Sequence, residues 1–304
     1  MRAIPIAIAI PIAMPTPITV EAVRHAVLDI ARPTNTISDK ESNMLDHTTI
    51  DQLRSLKLIG FAEGLAQQMS QTDIHTLSFE ERLALLVQRE LHTRSDRRQT
   101  RLLQLAHLKF PRAAIEDLDA REGRGIDRKT LMSLALSQWV AQGDAIVLVG
   151  ATGVGKSWIA CALGQYACRQ GHTVLYLRVP RLAEELRLLH GSGTFSKWLA
   201  QLARVEVLIL DDWAMTPLDP ATRADLLEII EDRAARKATI ITTQLPVEHW
   251  HGWIGDATIA DAICDRLMQR VHRLALTGES MRDTQRQAAS KKRAPAKPSA
   301  AAST

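Results

Sequence analysis

The stretch Gly150-Ala151-Thr152-Gly153-Val154-Gly155-Lys156-Ser157 decides the fold of this chain. It follows an apolar run at residues 145–149 and precedes a helical pattern that begins at Trp158. This is the pattern G-x-x-x-x-G-K-[ST] in a strand–loop–helix setting, which is typical of a phosphate-binding loop. The glycines let successive backbone N–H groups turn toward a phosphate, and the start of the helix adds the positive end of its dipole. The stretch therefore predicts a site for nucleotide phosphates.

The last two residues of the loop carry the chemistry that distinguishes it from an ordinary glycine turn. We expect Lys156 to bridge the β- and γ-phosphates and the Ser157 hydroxyl to ligate Mg²⁺. We assign nucleotide binding to residues 150–157 together with the adjacent Trp158. The sequence contains no N-K-x-D motif for reading guanine, so ATP is the predicted nucleotide.

Length and composition set outer limits on the class of protein. The chain has 304 residues, of which 46% are hydrophobic, so it can build one sizeable domain and a smaller one. Its 38 basic and 34 acidic side chains leave a net charge of +4, too small to establish a nucleic-acid partner. The three cysteines form no C-x-x-C pair, which argues against a zinc site or a disulfide framework and suits the cytoplasm.

Five apolar runs alternate with helical patterns in the second half of the chain. They occupy residues 145–149, 173–179, 205–212, 237–243 and 271–276. This alternation predicts an α/β fold of the phosphate-loop (P-loop) NTPase class, with a parallel five-stranded sheet covered on both faces. The order of the elements matches ATPases in which an extra strand, here 237–243, is inserted between the loop strand and the acidic strand.

Two acids close the third apolar run, in the form of a Walker B element. Asp211 stands where a carboxylate can hold Mg²⁺ through water beside Ser157. Asp212 stands where a second acid can polarise the attacking water. Aspartate is one methylene shorter than the glutamate that many such ATPases carry, so we expect slow or partner-dependent hydrolysis. Helix capping by the two acids is the alternative interpretation.

Further polar residues are candidates for contact with the γ-phosphate. Gln244, or alternatively Thr243, ends the inserted strand and would orient water there; a plain polar strand end is the alternative. Arg266 is predicted to reach a neighbouring subunit's γ-phosphate, unless it pairs with a nearby acid such as Asp261 or faces solvent. Arg282 is the candidate for a second arginine that senses nucleotide.

The chain divides into four predicted segments. Residues 1–43 are expected to be a disordered leader or an upstream-start extension, because prolines interrupt any signal peptide or membrane helix. Residues 44–110 form a helical N-terminal domain, 111–285 the ATPase domain and 286–304 a disordered basic tail. One helix is expected from Met44 to about Gln71, and Ser78 with Glu81 forms a capping box that begins a long helix.

The far end of that long helix is basic. Arginines recur there at spacings of three and four, at positions Arg94, Arg97, Arg98 and Arg101. This spacing places them on one helix face. The face is either a DNA phosphate-binding surface or an ordinary one that is solvated or pairs with acids elsewhere.

Several motifs together are more specific than the Walker elements alone. They are Leu208-Ile-Leu-Asp-Asp-Trp213, Thr242-Thr-Gln-Leu-Pro246 followed by Trp250, Asp265-Arg-Leu267 and Gly278-Glu-Ser-Met-Arg282. With the phosphate loop, they make residues 44–285 resemble the IstB-like transposition helper ATPases. That family is a branch of the AAA+ class close to the DnaC helicase loaders. Members of the family usually have Gly where Ala214 stands and Ser where Thr243 stands.

The resemblance implies a specific activity. Such proteins bind ATP and Mg²⁺, assemble as homo-oligomers on double-stranded DNA, and present a target site to a cognate transposase. ATP acts as the assembly switch, and hydrolysis stimulated by the transposase releases the complex. The helper cuts no DNA, and no membrane association is expected.

Three other functions remain open on the sequence. A DnaC-like replicative helicase loader has the same fold and would bind a helicase through its N-terminal region. A small-molecule kinase would need an arginine-rich lid, whereas residues 180–200 read as an ordinary amphipathic helix. A binding scaffold with an inactive site would assemble on DNA without Lys156.

Overall fold

The structure is a computed structural model that describes residues 48–118, 125, 130, 133–134, 138–278 and 280. The expected leader 1–43 and the basic tail 286–304 lie outside these residues. The chain divides into two compact units, residues 1–97 and residues 98–304. Residues 98–110, predicted to belong to the N-terminal domain, fall within the second unit. Leu102, Ala106 and Leu108 belong to its hydrophobic core. The domain limits drawn from the sequence stay a prediction.

The described part of the first unit is helical. Helix α1 covers residues 48–55, α2 covers Ile59–Ser70, and a short 3₁₀ turn covers Thr72–Thr76. The prediction of one continuous helix from Met44 to Gln71 is wrong. Lys57 has a φ of 61°, and the N–H of Leu58 bonds back to the carbonyl of Leu53 at 2.9 Å. A residue in the left-handed conformation ends a helix, because the next N–H then turns back to an earlier carbonyl.

Helix α3, Phe79–Leu105, begins at the predicted capping box and runs past the division between the units. The Ser78 N–H donates to Glu81 Oε2 at 2.8 Å, and the Glu81 N–H donates to Ser78 Oγ at 3.2 Å. Within the first unit, α2 lies against α3 at Gly60 and Gly64. A Cβ added to Gly60 would stand 2.4 Å from Thr93 Oγ1.

The second unit contains one five-stranded sheet. Its strands are β1 Ala145–Gly150, β2 Val174–Arg178, β3 Val207–Trp213, β4 Ala238–Thr243 and β5 Val271–Leu276. Their spatial order is β2-β3-β4-β1-β5, and all four pairings are parallel. The predicted insertion of the fourth strand between the loop strand and the acidic strand is confirmed.

The helices of the second unit connect these strands. They are α4 Gln138–Gln142, α5 Lys156–Arg169, α6 Val179–Gly191, α7 Phe195–Leu202, α8 Pro220–Arg233, α9 Trp250–Ile254 and α10 Ala257–Met268. Consecutive strand residues Leu208, Ile209 and Leu210 are all 0% exposed, although their side chains alternate between the two faces. Both faces of the sheet are therefore covered, as the apolar runs predicted.

None of the described helices is both long and apolar enough to cross a membrane.

Candidate nucleotide-binding site

The phosphate loop joins β1 to α5 at the carboxyl end of the sheet. Gly155 has a φ of 101° immediately before the first residue of α5, a conformation that a side chain would oppose. Gly153 has a φ of 89°, and a Cβ there would stand 2.4 Å from Ser280 Oγ. Val154 anchors the loop in the core, and the partly buried Trp158 packs against the same core. These contacts therefore fix the conformation of the loop.

Lys156 lies over the loop that precedes it. Its Nζ donates to the carbonyl oxygens of Gly150 at 2.7 Å and Ala151 at 2.8 Å. Burial lowers the pKa of Lys156, while the charges of Asp211 and Asp212 act in the opposite direction. The ammonium is thus held at the loop, where phosphate oxygens can replace the two carbonyls as its partners.

Asp211 is fully buried and bonded through both carboxylate oxygens. Its Oδ1 accepts from Ser157 Oγ at 2.7 Å and from Thr242 Oγ1 at 2.5 Å. Its Oδ2 accepts from the Tyr176 hydroxyl and, at 3.3 Å, from Lys109 Nζ. Burial acts to raise the pKa of Asp211, but the three hydroxyl donors and Lys109 outweigh it, so the pKa lies below its ordinary value. Asp211 is therefore a carboxylate at neutral pH.

The oxygen atoms of Ser157 and Asp211 are suitable ligands for Mg²⁺. Ser157 and Asp211 offer a hydroxyl and a carboxylate oxygen 2.7 Å apart, and Mg²⁺ prefers oxygen ligands. Among the residues that the structure describes, no cluster of three or more His, Cys, Asp or Glu side chains could hold a metal. A Mg²⁺ ion that takes one or two protein ligands and completes its shell with water and phosphate oxygens fits this set.

Asp212 is bound to Arg178, a residue for which the sequence predicted no role. Arg178 donates to Asp212 Oδ2 from both Nη2 and Nε, and this contact raises the pKa of Arg178. The backbone N–H of Asp212 also donates to Thr242 Oγ1 at 3.1 Å. The φ angle of Asp212 is 60°. A signal for Arg178 existed in the sequence: it is a charged residue near the end of the second apolar run, as Asp212 is at the end of the third.

Gln244 lies next to the phosphate loop. Its Oε1 accepts from Thr152 Oγ1 at 2.8 Å, and its side chain is exposed. Thr243, the alternative for the same role, is 1% exposed and uses its hydroxyl locally with the backbone of Leu245. The geometry brings Gln244, rather than Thr243, to the loop.

Of the two candidate arginines, Arg266 lies within the described residues and Arg282 does not. Arg266 Nη2 pairs with Glu231, and Nη1 donates to the carbonyl of Ala262 at 3.0 Å. Arg266 lines a cleft with Ala145 and Thr239, at the amino ends of β1 and β4, whereas the phosphate loop lies at their carboxyl ends. The structure therefore does not bring Arg266 to the loop of its own chain. Arg282 lies outside the described residues.

Beyond Asp212, the chain makes a tight turn. Ala214 has a φ of 63°, in the left-handed region that favours glycine. Trp213 packs between Trp250 and Trp253, with ring centroids at 5.3 and 4.9 Å. The tryptophans fix the backbone on which the two acids stand.

The phosphate loop, the paired acids and the strand order β2-β3-β4-β1-β5 define an ATPase of the AAA+ class. The profile of the IstB-like ATP binding proteins matches residues 51–289. The chain belongs to that family.

Two insertion-sequence relatives agree with this assignment. The chain is 46% identical to the insertion-sequence ATP-binding protein y4pL of Sinorhizobium fredii, over 80% of this chain and 99% of the relative. It is 51% identical to an insertion sequence IS1162 ATP-binding protein of Pseudomonas fluorescens, over 67% of this chain and 88% of the relative. Among solved structures, a DnaC helicase loader aligns with a TM-score of 0.46 and 21% identity, over 54% of this chain and 97% of that chain.

Proposed function

We propose that this protein is an ATP-dependent helper of insertion-sequence transposition, which forms homo-oligomers on double-stranded DNA and recruits a cognate transposase. Hydrolysis of ATP then drives disassembly. The observation that carries the proposal is the hydrogen bond of Ser157 to Asp211 beneath the phosphate loop, in a chain whose relatives are insertion-sequence ATP-binding proteins.

The residues at the loop support hydrolysis as well as binding. Lys156 and the loop N–H groups bind the phosphates, and Asp212 accepts the proton of the attacking water. Gln244, beside Thr152, orients that water. Ser157 and Asp211 would hold Mg²⁺, which would supply positive charge to neutralise the charge that develops on the phosphates.

The Arg178–Asp212 pair supports slow hydrolysis that a partner stimulates. While Arg178 occupies Asp212 Oδ2, that oxygen has little capacity left to accept a proton. DNA or the transposase would separate the pair and so start turnover.

The position of Arg266 supports assembly. It lies at the amino ends of β1 and β4, away from its own phosphate loop, which suits a role at the site of another subunit. Glu231 holds it until a neighbour's γ-phosphate takes its place.

The basic end of α3 supports DNA binding in part. Arg94, Arg97, Arg98 and Arg101 are all exposed. Arg94 pairs with Glu90 at 2.6 Å, and Arg98 donates to the carbonyl of Gly171 at 3.1 Å. Arg97 and Arg101 are therefore the better candidates for contact with phosphates of the duplex.

The test is to image the purified protein on duplex DNA with ATP, with ADP and without nucleotide. We expect ordered assemblies with ATP alone, and their loss in the variant Lys156→Ala. The exposed Lys197 provides the matched control, since Lys197→Ala should assemble normally. Equal assembly in all three conditions would refute the ATP switch. A pull-down that captures a replicative helicase instead of the transposase would favour the function of a helicase loader.

A further inference from the structure

Lys109 contributes a cation to the Walker B carboxylate from far away in the sequence. Its Nζ lies 3.3 Å from Asp211 Oδ2, and the two residues are 102 positions apart. Lys156, the lysine of the phosphate loop, instead donates to the carbonyls of Gly150 and Ala151. Lys109 is therefore the lysine that contacts the buried carboxylate directly.

The backbone around Lys109 is fastened to the ATPase core. The N–H of Tyr176 in the edge strand β2 donates to the carbonyl of Ala106 at 3.0 Å. Leu108 is 8% exposed and packs in the main core. Because the backbone is held at Ala106 and Leu108, the reach of Lys109 to Asp211 is built into the fold.

A buried carboxylate without a counter-charge is costly, so Asp211 needs a cation before any divalent ion arrives. Lys109 meets that need on Oδ2, while Oδ1 faces Ser157, the side on which Mg²⁺ fits. The lysine and a divalent cation would draw on the same negative charge and repel each other. Each therefore weakens the hold of the other on Asp211.

We propose that Lys109 is a positioning residue that serves as the resident counter-ion of Asp211 and sets how much Mg²⁺ the site needs. This rests on the proposed ATPase site. The lysine keeps the carboxylate compensated between turnovers, and it limits metal binding when ATP is absent.

The experiment compares Lys109→Met and Lys109→Gln with the wild type. One readout is the binding of a fluorescent ATP analogue as Mg²⁺ is titrated, and the other is the melting temperature with EDTA or with Mg²⁺. Without the lysine charge, we expect the half-saturating Mg²⁺ concentration to fall by about threefold or more. We also expect a lower melting temperature in EDTA and a larger gain on adding Mg²⁺ than in the wild type.

Two controls make the result specific to the charge. Lys109→Arg keeps the charge and should restore the wild-type Mg²⁺ requirement, and Lys197→Met removes an exposed lysine and should change nothing. An unchanged or increased Mg²⁺ requirement in both Lys109→Met and Lys109→Gln would overturn the proposal. Lys109→Gln keeps a hydrogen-bond donor, so it serves if Lys109→Met does not fold. Failure of the wild type itself to bind ATP would instead reject the ATPase assignment.

Discussion

Arg178 donates two hydrogen bonds to one oxygen of Asp212, from Nη2 at 2.6 Å and from Nε at 3.0 Å. The two residues stand at the carboxyl ends of the neighbouring strands β2 and β3. The acid proposed to activate water is therefore paired with a cation of its own chain. We expect this pairing to weaken Asp212 as a proton acceptor, because the positive guanidinium stabilises the charged carboxylate.

Replacing Arg178 should raise the unstimulated rate of hydrolysis. In Arg178→Gln the carboxylate of Asp212 loses its ion pair, and we expect kcat without DNA or transposase to rise by about 2- to 10-fold. Steady-state phosphate release measures this. Arg181→Gln, at an exposed arginine on α6, is the control. Asp212→Asn should lower kcat about 100-fold, and an equal loss in Arg178→Gln would mean that the arginine orients the acid instead.

Arg266 should act on the site of a neighbouring subunit. We expect Arg266→Ala to lower kcat by about 10³-fold with ATP binding retained. Mixing Arg266→Ala with Asp212→Asn should restore part of the activity, because some interfaces then combine an intact acid with an intact arginine. Glu231→Gln, which removes the ion-pair partner of Arg266, should stay active. A mixture as inactive as its two components would rule out action in trans.

Ala214 should be a site where glycine stabilises the protein. Its φ of 63° is strained for alanine, so we expect Ala214→Gly to raise the free energy of unfolding by about 0.5–1 kcal/mol. Urea denaturation measures this. Ala203 has a φ of −60°, so Ala203→Gly should destabilise the fold by about 0.5–1 kcal/mol. Loss of stability in both variants would contradict the strain at Ala214.

Arg233 should be a structural cation. It is 2% exposed, and its guanidinium donates to the carbonyls of Val205 at 2.9 Å and Ala238 at 2.7 Å. Burial lowers its pKa to about 9, which leaves it charged at neutral pH. Arg233→Met leaves buried carbonyls without a donor and should cost about 2–4 kcal/mol of stability. The exposed Arg236→Met is the control, and equal stability of the two variants would refute this role.

Glu206 should make stability depend on acid pH. Burial acts to raise its pKa, but His172 and the N–H of Thr173 outweigh it, so the pKa of Glu206 is lowered in the fold. Its stabilisation is therefore complete above the unfolded pKa, about 4.3, and is lost as pH falls through the lower folded value. The variant Glu206→Gln should be less stable at pH 7, with a difference that shrinks below pH 4. Urea denaturation midpoints measured from pH 3 to 7 test this prediction. A stability difference that is independent of pH would contradict it.

The strands and most helices could be predicted because each carries a local pattern. Strand β5, Val271–Leu276, has the predicted limits. The capping box at Ser78 was predicted for the same reason, since its two partners are three residues apart. The break near Lys57 was missed, because an apolar stripe continues through it without a glycine or proline.

The sequence by itself determined the class of fold, the phosphate loop and the two acids, because these depend on spacing within a few residues. Only the tertiary structure decided that Arg178 holds Asp212, that Lys109 compensates Asp211, and that Arg266 lies at the amino ends of β1 and β4. Those contacts join residues that are 34 to 102 positions apart or lie on separate elements. They exist because burial of both sheet faces fixes the order and register of the strands, which local pattern does not specify.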